Sequence, residues 1–106
     1  MRLLLFSGGL DSSALASWLK PDIALTIDYG QRAARGEMAA AAAISDRLGI
    51  YHTTLSVDLS ALGRGDMSGH EASELGGASE WWPYRNQMLI TLAAMRFVAD
   101  GLKEVI

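Results

Sequence analysis

Residues 7–13 read Ser-Gly-Gly-Leu-Asp-Ser-Ser and follow directly on an apolar run ending at Phe6. Two glycines, three hydroxyls and a carboxylate in seven positions suggest a loop built to hold an anion. A strand, a glycine-rich turn and a helix start together aim unpaired backbone N–H groups at one point, where the helix dipole adds positive potential. Gly8 and Gly9 would supply bare backbone there, Ser7, Ser12 and Ser13 hydroxyl donors, with Phe6 and Leu10 flanking the turn. Asp11 is the odd member, because a carboxylate beside a phosphate is repelled unless a cation lies between them. Mg²⁺ suits that place, since it takes one or two carboxylates together with phosphate oxygens. The other reading is that Asp11 caps the following helix, as Asp does well. The loop lacks the lysine of a Walker A motif and the spacing of a G-x-G-x-x-G fingerprint.

Such a loop must be positioned by the elements around it. The run 2–6 is short, apolar and glycine-bounded, as expected of a strand covered on both faces. Residues 11–20 have helical spacing with Leu15, Trp18 and Leu19 as apolar positions, closed by Pro21. Residues 22–28 form the next strand, ended by Tyr29-Gly30. The alanine-rich stretch 33–49 predicts a helix with Gly49 at its C-terminal cap and a buried stripe of Met38, Ala41, Ile44 or Ser45, and Leu48. A third strand is expected over 50–57. A long glycine-rich stretch without period runs from Asp58 to about Trp82. Residues 85–101 are apolar almost all round, which predicts a helix buried on both sides. A fourth strand opens at 103–106. Strand and helix alternating in this way call for right-handed crossovers and a doubly wound, mostly parallel α/β sheet of Rossmann-like type. The last strand feeds no further connection, so residues 1–106 read as one domain of a longer protein, or one completed by a homo-oligomer, another chain or a further segment.

The 106 residues are half hydrophobic, carry a net charge of −3 and include no cysteine. No basic stripe offers a nucleic-acid or anionic-membrane surface. Lack of cysteine excludes thiolate metal sites and disulfides within these residues and fits a reducing, cytoplasmic setting. No apolar run approaches the ~18 residues of a membrane span.

Two further segments bear on function. Asp28-Tyr29-Gly30-Gln31-Arg32 closes the second strand, and ligands in doubly wound sheets lie outside the carboxyl ends of strands. The same edge receives Arg85 and Asn86 at the start of the last helix. The macrodipole disfavours a cation there unless it meets an anion, and arginine suits bidentate oxyanion recognition.

Residues 7–12, S-G-G-L-D-S, resemble the pyrophosphate-loop (PP-loop) motif of the N-type ATP pyrophosphatases, whose fold is that of the adenine nucleotide alpha hydrolases. With D-Y-G-Q-R at 28–32 and W-P-Y-R-N at 82–86, the chain resembles the 7-cyano-7-deazaguanine synthases of queuosine biosynthesis (QueC or ExsB) along nearly its whole length. The resemblance implies an ATP-dependent carbon–nitrogen ligase: it splits ATP between its α and β phosphates, adenylates a carboxylate and amidates it with ammonia. Its substrate would be 7-carboxy-7-deazaguanine and its product the nitrile, 7-cyano-7-deazaguanine (preQ0). By position, residues 6–13 would hold ATP phosphates, Asp11 would reach Mg²⁺, Asp28, Tyr29, Gly30 and Gln31 would flank adenosine, and Arg85 and Asn86 would orient an anionic group. Asp11 and Arg85 are the residues expected to bear on catalysis. Ala33 stands where the family commonly has His, and Tyr84 where it has Gly. The family's zinc-binding cysteine cluster has no counterpart here. A relative adenylating a tRNA base, another small acid or a protein target is the alternative, as is a nucleotide-binding fragment without catalysis.

The remaining polar residues have plainer readings. His52 is expected to be structural and His70 is left open, while Asp66, Glu71, Glu74 and Glu80 read as solvated. Trp81 and Trp82 could stack on a heterocycle or join the core, and 58–80 could be a lid or a mobile loop.

Overall fold

The computed structural model describes residues 1–62, 64–65, 80–81 and 84–106. Strand β1 (Arg2–Leu5) leads into helix α1 (Leu10–Leu19), strand β2 (Ile23–Asp28), helix α2 (Ala34–Leu48) and strand β3 (Tyr51–Ser56). A 3₁₀ turn at Ser60–Leu62 precedes β4 (Arg64–Gly65), which pairs antiparallel with β5 (Glu80–Trp81). Helix α3 (Arg85–Phe97) passes through a 3₁₀ turn at Val98–Asp100 to β6 (Glu104–Val105). The main sheet has the order β3-β2-β1-β6, and every pairing in it is parallel.

The apolar run of β1 is explained by cover on both faces. Leu3 packs with Ile23, Leu25, Ile27, Ala93 and Phe97, on the α3 side. Leu4 and Phe6 pack with Ala16, Ala24 and Ala41, on the α1 and α2 side. Helices on opposite faces make the sheet doubly wound, the α/β class expected. The switch point falls between β1, which is followed by α1 on one face, and β6, which is preceded by α3 on the other. Crevices open at such points without any side chain having to carve them.

The helices differ in what they bury, and the burial expected of the last helix is corrected. In α1 only Ala16 is buried, while Trp18 is 79% exposed and Leu15 36%. The small residue faces the sheet, which lets the helix lie close and turns the larger apolar side chains outward. In α3 only Ala93 and Phe97 are buried, and Ile90 and Met95 are exposed, as is Val98 just beyond it. This helix is therefore covered on one side among the described residues, not on two. The stripe expected of α2 holds better: Ala41 and Ser45 are buried, Met38 and Ile44 half-buried, and Leu48 lies at the exposed end. Gly49 caps α2 with φ +70°, and α1 ends one residue before Pro21, on Lys20 in the left-handed region. Of the stretch 58–82, residues 63, 66–79 and 82 lie outside the described residues. So do the expectations for His70, Asp66, Glu71, Glu74 and Trp82, and most of the proposed lid.

Candidate functional site

The turn after β1 is shaped by contact with α2. Gly8 has φ +81°, and a Cβ there would lie 2.7 Å from Ala40 Cβ and 2.7 Å from Ala41 N. Glycine is thus required twice at this position, by its backbone angle and by the close approach. Gly9 is the N-cap of α1 and is extended, with no side-chain capping bond. Asp11 lies one residue inside the helix, so the capping reading of its carboxylate is set aside. That carboxylate is exposed and has no hydrogen-bond or ion-pair partner among the described residues.

Hydrogen bonds inside the turn are few and long. Gly9 N–H donates to Ser7 Oγ at 3.3 Å, Ser7 and Ser12 Oγ are 3.3 Å apart, and Ser12 Oγ–H donates to Gly9 O at 3.4 Å. Bonds of this length are weak and readily exchanged for a better acceptor. The first helical bond runs from Ser13 N–H to Gly9 O at 2.9 Å. The N–H groups of Ser7, Gly8, Leu10, Asp11 and Ser12 find no acceptor among the described residues. Ser13 Oγ is buried and likewise unpartnered. Free backbone donors in one turn, together with the orphaned Ser13 hydroxyl, fit a phosphate group, and the exposed, unpaired Asp11 carboxylate among them fits a phosphate-bound Mg²⁺.

The turn after β2 is built differently. Asp28 Oδ1 accepts from Gly30 N–H at 3.0 Å, and Gly30 takes φ +98°. Gln31 is 5% exposed and is fully engaged inside the protein. Its Oε1 accepts from Tyr29 N–H at 2.9 Å, and its Nε2 donates to Ile27 O at 3.0 Å and to Glu37 Oε2 at 3.1 Å. Asp28, Gly30 and Gln31 thus shape the turn, while the buried Tyr29 lines a cavity.

That cavity, of about 490 Å³, lies at the carboxyl end of the sheet. Phe6 and Ser7 from the anion turn, Tyr29, Glu37, Arg85 and Asn86 all line it, over a floor that includes Ile27 and Ile106. Arg85 is the first residue of α3, exposed, and behind it Tyr84 holds the left-handed conformation with φ 56°. Phe6, Ser7, Tyr29, Arg85 and Asn86 of the expected set are brought to one cavity. The rest of the anion turn adjoins it through Ser7. Asp28, Gly30 and Gln31 do not line it.

Glu37 was not singled out in the sequence. An acidic residue in the first turn of a helix is ordinary there, and only the side-chain bond to Gln31 distinguishes it. His52 was expected to be structural, and its partners agree. Thr26 Oγ–H donates to Phe6 O at 2.6 Å, so His52 Nε2, 2.8 Å from the same oxygen, must be the donor. Burial pushes the His52 pKa below its usual 6.5. Among the described residues no cluster of His, Asp and Glu could hold a metal by itself. Nor is any described helix long and apolar enough to cross a membrane.

The family model described as "Queuosine biosynthesis protein QueC" matches residues 1–106. A 7-cyano-7-deazaguanine synthase of Desulforudis audaxviator is 37% identical over 123 residues, covering 98% of this chain and 56% of its own length. One from Novosphingobium aromaticivorans is 35% identical over 115 residues, covering 99% of this chain and 49% of its own. One from Acinetobacter baylyi is 30% identical over 112 residues, covering 98% and 48%. The chain spans about half the length of the curated relatives it matches. No solved structure matches it significantly. On the family match along its whole length, the chain belongs to the QueC family of queuosine biosynthesis proteins.

Proposed function

We propose that residues 1–106 form the ATP-binding PP-loop domain of an ATP-dependent ligase that converts 7-carboxy-7-deazaguanine to 7-cyano-7-deazaguanine, acting on a soluble small molecule in the cytoplasm. In this reading the turn from Ser7 to Ser13 receives the β and γ phosphates, which depart together as pyrophosphate. The free amides and the Ser13 hydroxyl neutralise charge that grows on the leaving group. Such preorganised donors are commonly the largest catalytic contribution in a site of this kind. Mg²⁺, when bound, would offset the remaining negative charge, and Asp11 would be the side chain that holds it. Arg85 and Asn86 orient the substrate carboxylate towards the α phosphate. Ammonia then displaces AMP from the acyl adenylate to give the primary amide. A second adenylation, on the amide oxygen, lets AMP leave with that oxygen as the amide nitrogen gives up its two protons and the nitrile forms. No side chain need act as a general base, because alignment and charge neutralisation carry most of the barrier lowering.

The observation that carries this reading is the meeting of two oxyanion-seeking groups at one cavity. The donor-lined turn reaches it through Ser7, and Arg85 lines its other wall. A helix start is a poor place for an arginine unless an anion is expected. The test is Mg²⁺-dependent pyrophosphate release from ATP by the full-length protein, with and without the deazaguanine acid. Release that is indifferent to the acid would remove this substrate and favour a relative adenylating something else.

A further inference from the structure

The Gln31 amide has only one possible orientation. Tyr29 N–H can only donate to it and Ile27 O can only accept from it, so Oε1 and Nε2 are fixed by their partners. The remaining Nε2 hydrogen is directed to Glu37 Oε2. A buried, saturated amide therefore holds one oxygen of a carboxylate that lines the cavity, while Arg85 lines the same cavity from α3. The walls have opposite polarity: an acceptor on the α2 side and a cation on the α3 side.

We infer that Glu37 is a specificity-determining residue that accepts the paired N–H donors of a 2-amino-6-oxo heterocycle, and that Gln31 is the positioning residue that aims it. The inference deepens the proposed function and rests on its substrate class. A carboxylate can only accept hydrogen bonds, so the donor pattern of the ligand decides. An adenine edge offers one amino donor beside a ring nitrogen lone pair, which a second carboxylate oxygen would repel. A 2-amino-6-oxo edge sets a ring N–H beside an exocyclic amine, so both carboxylate oxygens are satisfied by charge-assisted bonds. The hydrogen bond from Gln31 leaves Oε2 a second lone pair for this purpose. Phosphates are excluded from this wall by charge. A heterocycle bearing its acid on the opposite side would then present that acid towards Arg85.

The test is calorimetric titration of the full-length protein with 7-carboxy-7-deazaguanine and with its 2-desamino analogue. Wild type should prefer the amino compound by roughly 10- to 100-fold, the range expected for a charge-assisted bond. Glu37→Gln should abolish that preference and leave binding of α,β-methylene-ATP unchanged. Gln31→Ala should weaken the preference partially, as a positioning role requires. No preference in wild type, a preference that survives Glu37→Gln, or a loss confined to the ATP analogue would each overturn the assignment. Failure of wild type to bind the acid would overturn it too. Intact, discriminating binding without pyrophosphate release would count against adenylation and leave the Glu37 assignment standing.

Discussion

The backbone of Gly8 rests against Ala41 so closely that one added carbon would lie 2.7 Å from the Ala41 nitrogen. Ala41, on α2, is itself wholly buried among Leu4, Phe6, Ala16 and Ala24. The alanines of α2 therefore do more than favour helix: they let the anion turn settle onto the helix.

Gly8→Ala should accordingly be severe. It combines left-handed strain with a collision against backbone that cannot swing aside, together roughly 2–5 kcal/mol. Urea denaturation should show the loss of stability, and ATP binding by calorimetry should fall with it. A variant as stable as wild type would mean that the turn can leave α2 at little cost.

Asp11→Asn separates metal binding from folding. Its carboxylate has no partner among the described residues and contributes only to the helix dipole, so stability should change by less than about 1 kcal/mol. Pyrophosphate release should fall by about 10- to 100-fold, with a higher Mg²⁺ requirement, as for loss of one ion-pairing ligand. Unchanged Mg²⁺ dependence would remove Asp11 from the metal.

Tyr84 occupies a left-handed conformation at φ 56° with its side chain 83% exposed. The strain of a non-glycine residue there is about 1–2 kcal/mol, against about 0.5–1 kcal/mol of extra chain entropy for glycine. Tyr84→Gly should thus stabilise the fold by roughly 0.5–1 kcal/mol, read as a raised denaturation midpoint. A lowered midpoint would show that the exposed ring makes a contact worth more than the strain.

His52 gives the fold a modest pH dependence. Its Nε2–H donates to Thr26 in both protonation states, and burial, which penalises the charged ring, depresses the pKa. The folded state then binds the proton less readily than the unfolded chain. The stabilising difference is complete above the ordinary pKa of 6.5 and is lost as pH falls from there through the depressed folded value. Denaturation midpoints measured from pH 7.5 down to pH 5 should decline, and His52→Gln should flatten this part of the curve. An identical slope in the variant would assign the effect to other groups.

The strand and helix order was legible because apolar runs bounded by glycine and alanine-rich helical spacing are local signals. Side-chain direction was less so. Trp18 and Leu15 follow a helical spacing, yet α1 turns Ala16 to the sheet, a choice made by the close packing of α1 and α2 and not by periodicity. The roundly apolar character of α3 suggested two covered faces, and the described residues cover one. The glycine turn between β1 and α1 was readable from residue types, since paired glycines after an apolar run mark a tight strand–helix junction. Gln31 read as a nucleotide contact, whereas its bonds run to Tyr29, Ile27 and Glu37. Those partners lie in β2, in the turn after it and in α2, and no spacing rule joins them.

The doubly wound sheet divides labour in the crevice it opens. Unpaired N–H donors belong to the main chain of a single strand–turn–helix unit, whereas Arg85, Asn86, Leu89 and Ile90 at the cavity all come from α3. On the proposed reading, side-chain replacement along that one helix would retarget the pocket to other acids while the main-chain grip on triphosphate stayed constant.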